Sequence, residues 1–92
     1  MTESDFRAQT ADFDDVVTRD WPAHHVIPDH SHPFALKALV TAGQMWLTVD
    51  GVERELQPGD LFELSHSQPH AERYGPTGAS YLVARRHSTD TD

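Results

Sequence analysis

The 92-residue sequence contains no cysteine. This absence excludes a disulfide framework, a cysteine-based zinc site and a thiol nucleophile. Any metal site in the chain must therefore be built from histidine and carboxylate side chains. Seven histidines are available for that purpose.

Positive charge is also scarce. Seven lysines and arginines stand against 15 aspartates and glutamates, which gives a formal net charge of −8. Because nucleic-acid binding is dominated by cationic contacts with phosphates, we expect no nucleic-acid partner. An anionic membrane surface is disfavoured for the same reason.

Long apolar runs are missing as well. No segment approaches the length needed to span a bilayer, and residues 1–15 lack the basic and apolar regions of a secretory signal. We therefore expect a cytoplasmic protein with no membrane partner.

The length suits one domain. Residues 1–15 are polar and acidic apart from Phe6 and Phe13, which predicts a flexible N-terminal arm that docks through those two rings. We expect a folded domain over residues 16–87 and a disordered tail over residues 88–92. Because a domain of this size buries little surface, we also expect a homodimer.

The sequence pattern of the folded region predicts an all-β domain. Its apolar segments are short, are separated by glycine and proline, and show no sustained helical periodicity. Asp50 and Gly51 predict a type I′ hairpin between strands 45–49 and 52–56. Further turns are predicted at Pro58–Asp60 and at Pro76–Gly78.

Three histidines form a candidate metal site. His30 and His32 are separated by one residue, so on a strand both imidazoles point to the same face. His70 begins a segment bounded by turns and can face them from another strand. Three neutral imidazoles can bind one divalent ion and leave coordination positions open. A His-x-His pair alone also arises by chance on exposed strands, so its weight depends on its surroundings.

Those surroundings resemble the two motifs of the cupin superfamily. The first motif reads Gly, five residues, His-x-His, three or four residues, Glu, six residues and Gly. Here His30–His32 is followed by Leu36 at the Glu position and then by Gly43. His24 occupies the position of the first Gly of the motif. If four residues separate His-x-His from the Glu, Lys37 occupies the position of the Glu. Neither Leu36 nor Lys37 can replace a carboxylate ligand at neutral pH.

The second motif reads Gly, five residues, Pro-x-Gly, two residues, His, three residues and Asn. It begins here at Gly59 and keeps its histidine at His70. Ser65 and Ser67 replace its Pro and Gly, and Tyr74 replaces its Asn. These are tolerable substitutions in turns and strands.

The resemblance covers residues 26–83, and the fifteen residues between the motifs match the short spacer of small bacterial cupins. It implies an all-β fold, a small single-domain cupin β-barrel of the double-stranded β-helix or jelly-roll type. It also implies one divalent transition metal, either iron, manganese, nickel or zinc, held by His30, His32 and His70. Without a carboxylate ligand the charge of the ion is uncompensated, so its open positions should favour an anionic or chelating small molecule.

Glu72 is the candidate catalytic residue. It lies two residues beyond His70 and so shares the same face of a strand. It could supply the missing carboxylate ligand or act as a base over the open positions. A solvated strand residue is the simpler alternative. Glu63 is a weaker candidate because its neighbours Phe62 and Leu64 suit the inward face better.

Three classes of function remain open. The resemblance to three-histidine cupin dioxygenases implies a metal-dependent enzyme acting on a small molecule, although no residue specifies oxygen chemistry over isomerase or lyase chemistry. The resemblance to sensory cupins implies a non-catalytic binder of small molecules. A barrel without metal is the third and least favoured class.

Overall fold

The computed structural model of this protein describes residues 1–87. It contains one short helix and six strands, namely α1 (Glu3–Gln9), β1 (Asp15–Trp21), β2 (Val26–His30), β3 (Phe34–Val49), β4 (Val52–Leu56), β5 (Leu61–Leu64) and β6 (His70–His87). The expected disordered tail, residues 88–92, lies outside the described residues. No helix within residues 1–87 is long and apolar enough to cross a membrane.

The two longest strands, β3 and β6, form the centre of one antiparallel sheet. Their register runs from Phe34 opposite His87 to Val49 opposite His70. β1 and β2 pair with different parts of β6, and β4 and β5 pair with different parts of β3. The all-β prediction is confirmed.

The predicted hairpin lies between β3 and β4. Asp50 and Gly51 both have positive φ, at 52° and 79°, as a type I′ turn requires. Val49 pairs with Val52, so the loop has two residues. The predicted turn at Pro58–Asp60 is also present, and β5 begins directly after it.

The predicted turn at Pro76–Gly78 is wrong. β6 runs through these residues without a break, and the chain bends rather than reverses. The bend occurs where Gly43 on β3 lies opposite Ala79 on β6, with register shifts on both sides of Gly43. Gly43 and Gly78 both have positive φ. Glycine with positive φ serves a β-bulge as readily as a turn, so the sequence pattern does not distinguish the two.

Side-chain alternation gives the sheet two apolar faces. On β3, Ala38 faces inward and Leu39 faces outward; on β6, Tyr81 faces inward and Leu82 faces outward. The inner face carries the larger core cluster, which comprises Leu36, Ala38, Val40, Met45, Leu47, Leu56, Phe62, Leu64, Tyr74, Ala79, Tyr81 and Val83. The bent sheet therefore has an interior, and its outer face needs a cover.

α1 supplies that cover. Phe6 is fully buried against Leu39 and Leu82, and Phe13 packs on the same cluster. Thr2 caps the helix by accepting a hydrogen bond from the backbone N–H of Asp5. An arm that docks through its two phenylalanines is predicted from the sequence, but its helix is not, because seven residues are too few to show a helical period.

We expect the helix cover to stabilise the domain measurably. Replacing a buried phenylalanine by alanine costs about 3 to 5 kcal/mol, so Phe6→Ala should lower the free energy of unfolding by about 3 kcal/mol. Phe13→Ala is the matched control, because Phe13 is only half-buried and should cost less. Urea unfolding followed by circular dichroism measures both. Equal losses for the two variants would contradict the assignment of Phe6 as the anchor.

Candidate metal centre

The interior of the bent sheet contains a cavity of about 370 Å³. Side chains from β1, β2, β3, β5 and β6 line it. Its wall is largely apolar, with Ile27, Phe34 and Leu36 among the lining residues. Its polar lining residues include three histidines and Glu72, which form the candidate site.

His30, His32 and His70 converge in this cavity. Their candidate ligand atoms all lie within 4.8 Å of one another. The ring centroids of His30 and His70 are 4.2 Å apart, and those of His30 and His32 are 4.8 Å apart. The His-x-His spacing predicts that the first two share a strand, but His30 ends β2 and His32 lies in the loop before β3. The two imidazoles meet nevertheless.

Backbone carbonyl groups fix the orientation of two of these rings. Nδ1 of His70 lies 2.9 Å from the carbonyl oxygen of Gln68, and Nδ1 of His30 lies 2.9 Å from that of Pro28. A carbonyl oxygen only accepts hydrogen bonds, so each Nδ1 carries the hydrogen. In the neutral rings, Nε2 therefore presents its lone pair, which is the form that a metal ligand needs.

A tight turn brings the two motif segments together. The backbone N–H of Ser67 donates to the carbonyl oxygen of His32 at 2.9 Å. Ser67 has a φ of 63°, and His24 has a φ of 60°. These are two positions at which the cupin motifs carry glycine, so the backbone keeps the conformation that glycine favours although the side chains differ.

Glu72 is buried and lies beside the histidines. It is 6% exposed, which overturns the simpler interpretation of a solvated strand residue. Its Oε2 lies 3.5 Å from Nε2 of His70 and 3.9 Å from Nε2 of His30. Its Oε1 accepts hydrogen bonds from the hydroxyl groups of Tyr74 and Tyr81.

The charge states of this cluster are coupled. Burial opposes ionisation of Glu72, but the neighbouring His70, Tyr74 and Tyr81 outweigh that effect and lower the pKa of Glu72. Burial also opposes the charged form of His70, but Glu72 outweighs it and raises the pKa of His70. Burial, with repulsion from His30 and His70, lowers the pKa of His32. The cluster therefore holds a carboxylate that attracts positive charge.

One buried atom tests whether these residues fit a metal ion. Among the buried side-chain nitrogen and oxygen atoms of residues 1–87, Nε2 of His70 alone has no hydrogen-bond partner. Such an atom is costly unless something binds it. It faces a second imidazole lone pair and a carboxylate oxygen, and these are donor atoms for a divalent transition metal. The residues present fit the ion that the sequence motifs imply.

The position of the missing motif carboxylate is now defined. Leu36 is buried and lines the cavity, as its parity with the histidines predicts. Lys37 points to the outer face, where its Nζ donates to Oε1 of Gln9 at 3.0 Å. Glu63 is exposed, in agreement with its weaker candidacy.

The other histidines lie outside the convergent group. His24, His66 and His87 are exposed. His25 is half-buried and stacks on Trp21, with ring centroids 5.2 Å apart. Trp21 in turn donates from Nε1 to the hydroxyl oxygen of Tyr81 at 3.0 Å.

Arg19 is a lining residue that the sequence analysis does not identify. It lies on β1 opposite Tyr81 and reaches the cavity. Burial and the neighbouring His30 and His70 lower the pKa of His32 more than the charge of Arg19 does, and Arg19 is itself exposed. No carboxylate pairs with Arg19 within residues 1–87, whereas Arg85 at the same cavity pairs with Asp15 at 2.7 Å. No local motif marks such a residue, because β1 reaches the site only through its pairing with β6.

Comparison with known proteins agrees with this architecture. The model of the cupin domain family matches residues 17–83. An RmlC-like cupin from Shewanella frigidimarina superposes with a TM-score of 0.71 at 23% identity, over 82% of this chain and 67% of that chain. KdgF from a Halomonas species superposes with a TM-score of 0.68 at 22% identity, over 82% of this chain and 70% of that chain. These two likenesses show the fold.

A third structure is more similar in sequence. The DMSP lyase DddQ from Ruegeria pomeroyi is 31% identical and superposes with a TM-score of 0.69, over 84% of this chain but only 39% of that chain. The comparison with curated proteins gives no match. Since the family match covers most of the chain, including both histidine segments, the protein belongs to the cupin domain family.

Proposed function

We propose that this protein binds one divalent transition-metal ion through His30, His32 and His70. The ion would use its open positions to hold a small molecule in the cavity. The observation that carries the proposal is the unpartnered Nε2 of His70, which faces two further histidines whose ligand atoms lie within 4.8 Å. Iron, manganese, nickel and zinc all suit this donor set.

The proposed ligand is an anionic or chelating small molecule with an apolar portion. Arg19 supports this charge preference, because it contributes an unpaired positive charge to the cavity within residues 1–87. The apolar wall formed by residues such as Ile27, Phe34 and Leu36 supports the apolar portion of the ligand. A charged group near Arg19 and the bound ion would fix the orientation of such a ligand.

Removal of the Arg19 charge should weaken the binding of anions selectively. Benzoate and benzamide have similar shapes but differ in charge, so titration of both into metal-loaded protein by calorimetry isolates the charge effect. We expect Arg19→Gln to weaken benzoate binding by about tenfold, which corresponds to about 1.4 kcal/mol, and to leave benzamide binding unchanged. Arg7→Gln is the control, because Arg7 lies on α1 and pairs with Glu3 there. Equal binding of benzoate and benzamide to the wild-type protein would contradict the proposed preference.

A catalytic role is the stronger of two interpretations of this binding. A bound ion of this kind supplies Lewis-acid chemistry and, for a redox-active metal, electron transfer. The chain itself supplies a largely apolar cavity, an ionised Glu72 and the tyrosine hydroxyl groups that orient it. We favour a small-molecule oxidoreductase of the dioxygenase type, and the 31% identity to a DMSP lyase adds lyase chemistry as a second candidate.

Two assays separate these activities from each other and from a sensory role. Iron-loaded protein should consume oxygen in the presence of candidate diketones, thiols or sugar acids if it is an oxidoreductase. Loss of DMSP in the absence of oxygen would instead indicate a lyase. Saturable binding of a small molecule without turnover, across metals and substrates, would identify a non-catalytic sensory cupin.

We also propose that the protein acts as a homodimer in the cytoplasm. The support is its small size, because a second subunit would bury apolar side chains such as Val26 and Val52, which are 65% and 69% exposed. Light scattering coupled to size exclusion measures the mass directly, and a monomer at all concentrations would exclude this assembly.

A further inference from the structure

We infer that Glu72 is a fourth protein ligand of the metal ion, which makes the site a set of three histidines and one carboxylate contributed from β6. This inference rests on the proposed function, because it assumes that the three histidines bind an ion. The carboxylate ligand would then come from β6, whereas the motif's Glu position on β3 is occupied by the apolar Leu36.

The distances support direct ligation. Nitrogen and oxygen ligands lie about 2.0 to 2.2 Å from ions such as zinc, so two ligand atoms of one ion are at most about 4.4 Å apart once it is bound, and the 4.8 Å spread of the three histidines must shorten slightly on binding. Oε2 of Glu72 lies 3.5 Å from Nε2 of His70 and 3.9 Å from Nε2 of His30. Both separations satisfy this limit. Both also exceed the length of a normal N–H···O hydrogen bond. The spacing therefore suits an ion between the carboxylate and the imidazoles better than a direct hydrogen bond.

The hydrogen bonds of Glu72 leave one oxygen for the ion. Oε1 accepts from Tyr74 and Tyr81, and the hydroxyl group of Tyr81 is itself fixed by Nε1 of Trp21. Oε2 is directed toward His70 and His30 instead. Ligands held in this way by outer partners are typical of protein metal sites.

The burial of Glu72 requires a positive partner. A carboxylate that is 6% exposed is costly unless it is paired. Within residues 1–87, Glu72 has no lysine or arginine partner, and its ion-pair contacts are the two histidine Nε2 atoms. A divalent ion bound by all three side chains would provide the missing charge. One positive charge would then remain on the site, which keeps it attractive to an anionic ligand.

The test uses zinc alone as the probe, with Glu72→Gln and the matched control Glu63→Gln. Glutamine retains a carbonyl oxygen for the tyrosine hydrogen bonds but is a poor metal ligand. Glu63 is exposed on β5, so its change makes the same chemical replacement outside the site. Competition with a chromophoric chelator should show zinc affinity reduced at least about 100-fold in Glu72→Gln and unchanged in Glu63→Gln.

Infrared difference spectroscopy of the wild-type protein gives a second, independent measurement. Addition of one equivalent of zinc should shift the stretching bands of one carboxylate, and this signal should be absent in Glu72→Gln. It also decides the question if the variant fails to fold. Absence of the shift in the wild type, or zinc affinity of Glu72→Gln equal to that of Glu63→Gln, would overturn the inference.

Different results would exclude the histidine metal site and the Glu72 ligand. If the wild type binds no metal, or binds it equally well without the three histidines, the proposed function is wrong. If the histidines are required but Glu72→Gln binds zinc normally, only the carboxylate ligand is wrong. An affinity loss without a carboxylate shift would make Glu72 an outer partner of the histidines and would also overturn direct ligation.

Discussion

His70→Ala is expected to lower the affinity of the protein for divalent metal by more than about 100-fold, since changes to outer partners of a ligand alone cost about 10- to 100-fold. His70 is 1% exposed, its Nδ1 is fixed by a backbone carbonyl, and its Nε2 has no other partner within residues 1–87. Its loss removes the most buried of the three histidines. Titration calorimetry with zinc or manganese measures the effect.

His66→Ala is the matched control for this experiment. His66 lies four residues before His70, in the turn that precedes β6, but it is exposed and outside the convergent group. Its replacement should leave metal affinity unchanged. Circular dichroism of the metal-free proteins must show the same fold for both variants. Similar affinities for His66→Ala and His70→Ala would contradict the assignment of His70 as a ligand.

Gly43→Ala is expected to have the largest effect on folding. A Cβ at this position would lie 2.0 Å from the backbone oxygen of Gly78 and 2.7 Å from Cα of Ala79. The φ of Gly43 is also positive, at 79°. Both β3 and β6 would have to separate at their shared bend, so we expect a loss of more than about 3 kcal/mol or a failure to fold.

Gly51→Ala separates the steric effect from the backbone effect. Gly51 has the same φ of 79°, but nothing lies within 4 Å of the position of its Cβ. Its replacement should therefore cost only about 1 to 2 kcal/mol, the penalty for positive φ. Denaturant unfolding of both variants measures the difference. Equal destabilisation would contradict the close approach of the two strands at Gly43.

Local chemistry explains why much of the fold is predictable from the sequence. Asp50 and Gly51 fix a hairpin through their backbone preferences, and the short apolar segments fix the strand class. The bend at Gly78 is not predictable in this way, because a bulge and a turn use the same residues. α1 is missed because its single buried anchor, Phe6, is recognised only once the outer face of the sheet is known.

The candidate site also has a part that is predictable from the sequence and a part that is not. The spacing of His30, His32 and His70 identifies the histidine group, and the structure brings the three together although His32 lies in a loop. Glu72 lies opposite Ile27 of β2 and Leu47 of β3, and it accepts a hydrogen bond from Tyr81, nine residues along β6. Arg19 reaches the cavity through the pairing of β1 with β6. Long-range strand pairing has no local signal, so these two residues become interpretable only in three dimensions.

Elemental analysis shows whether this cupin holds one metal ion at its three histidines. Plasma mass spectrometry of the purified protein, before and after reconstitution, should be compared with the His30→Ala, His32→Ala and His70→Ala variants. We expect close to one iron, manganese, nickel or zinc ion per chain in the wild type and loss of that ion in every variant. A wild-type protein that remains free of metal after reconstitution would contradict this expectation.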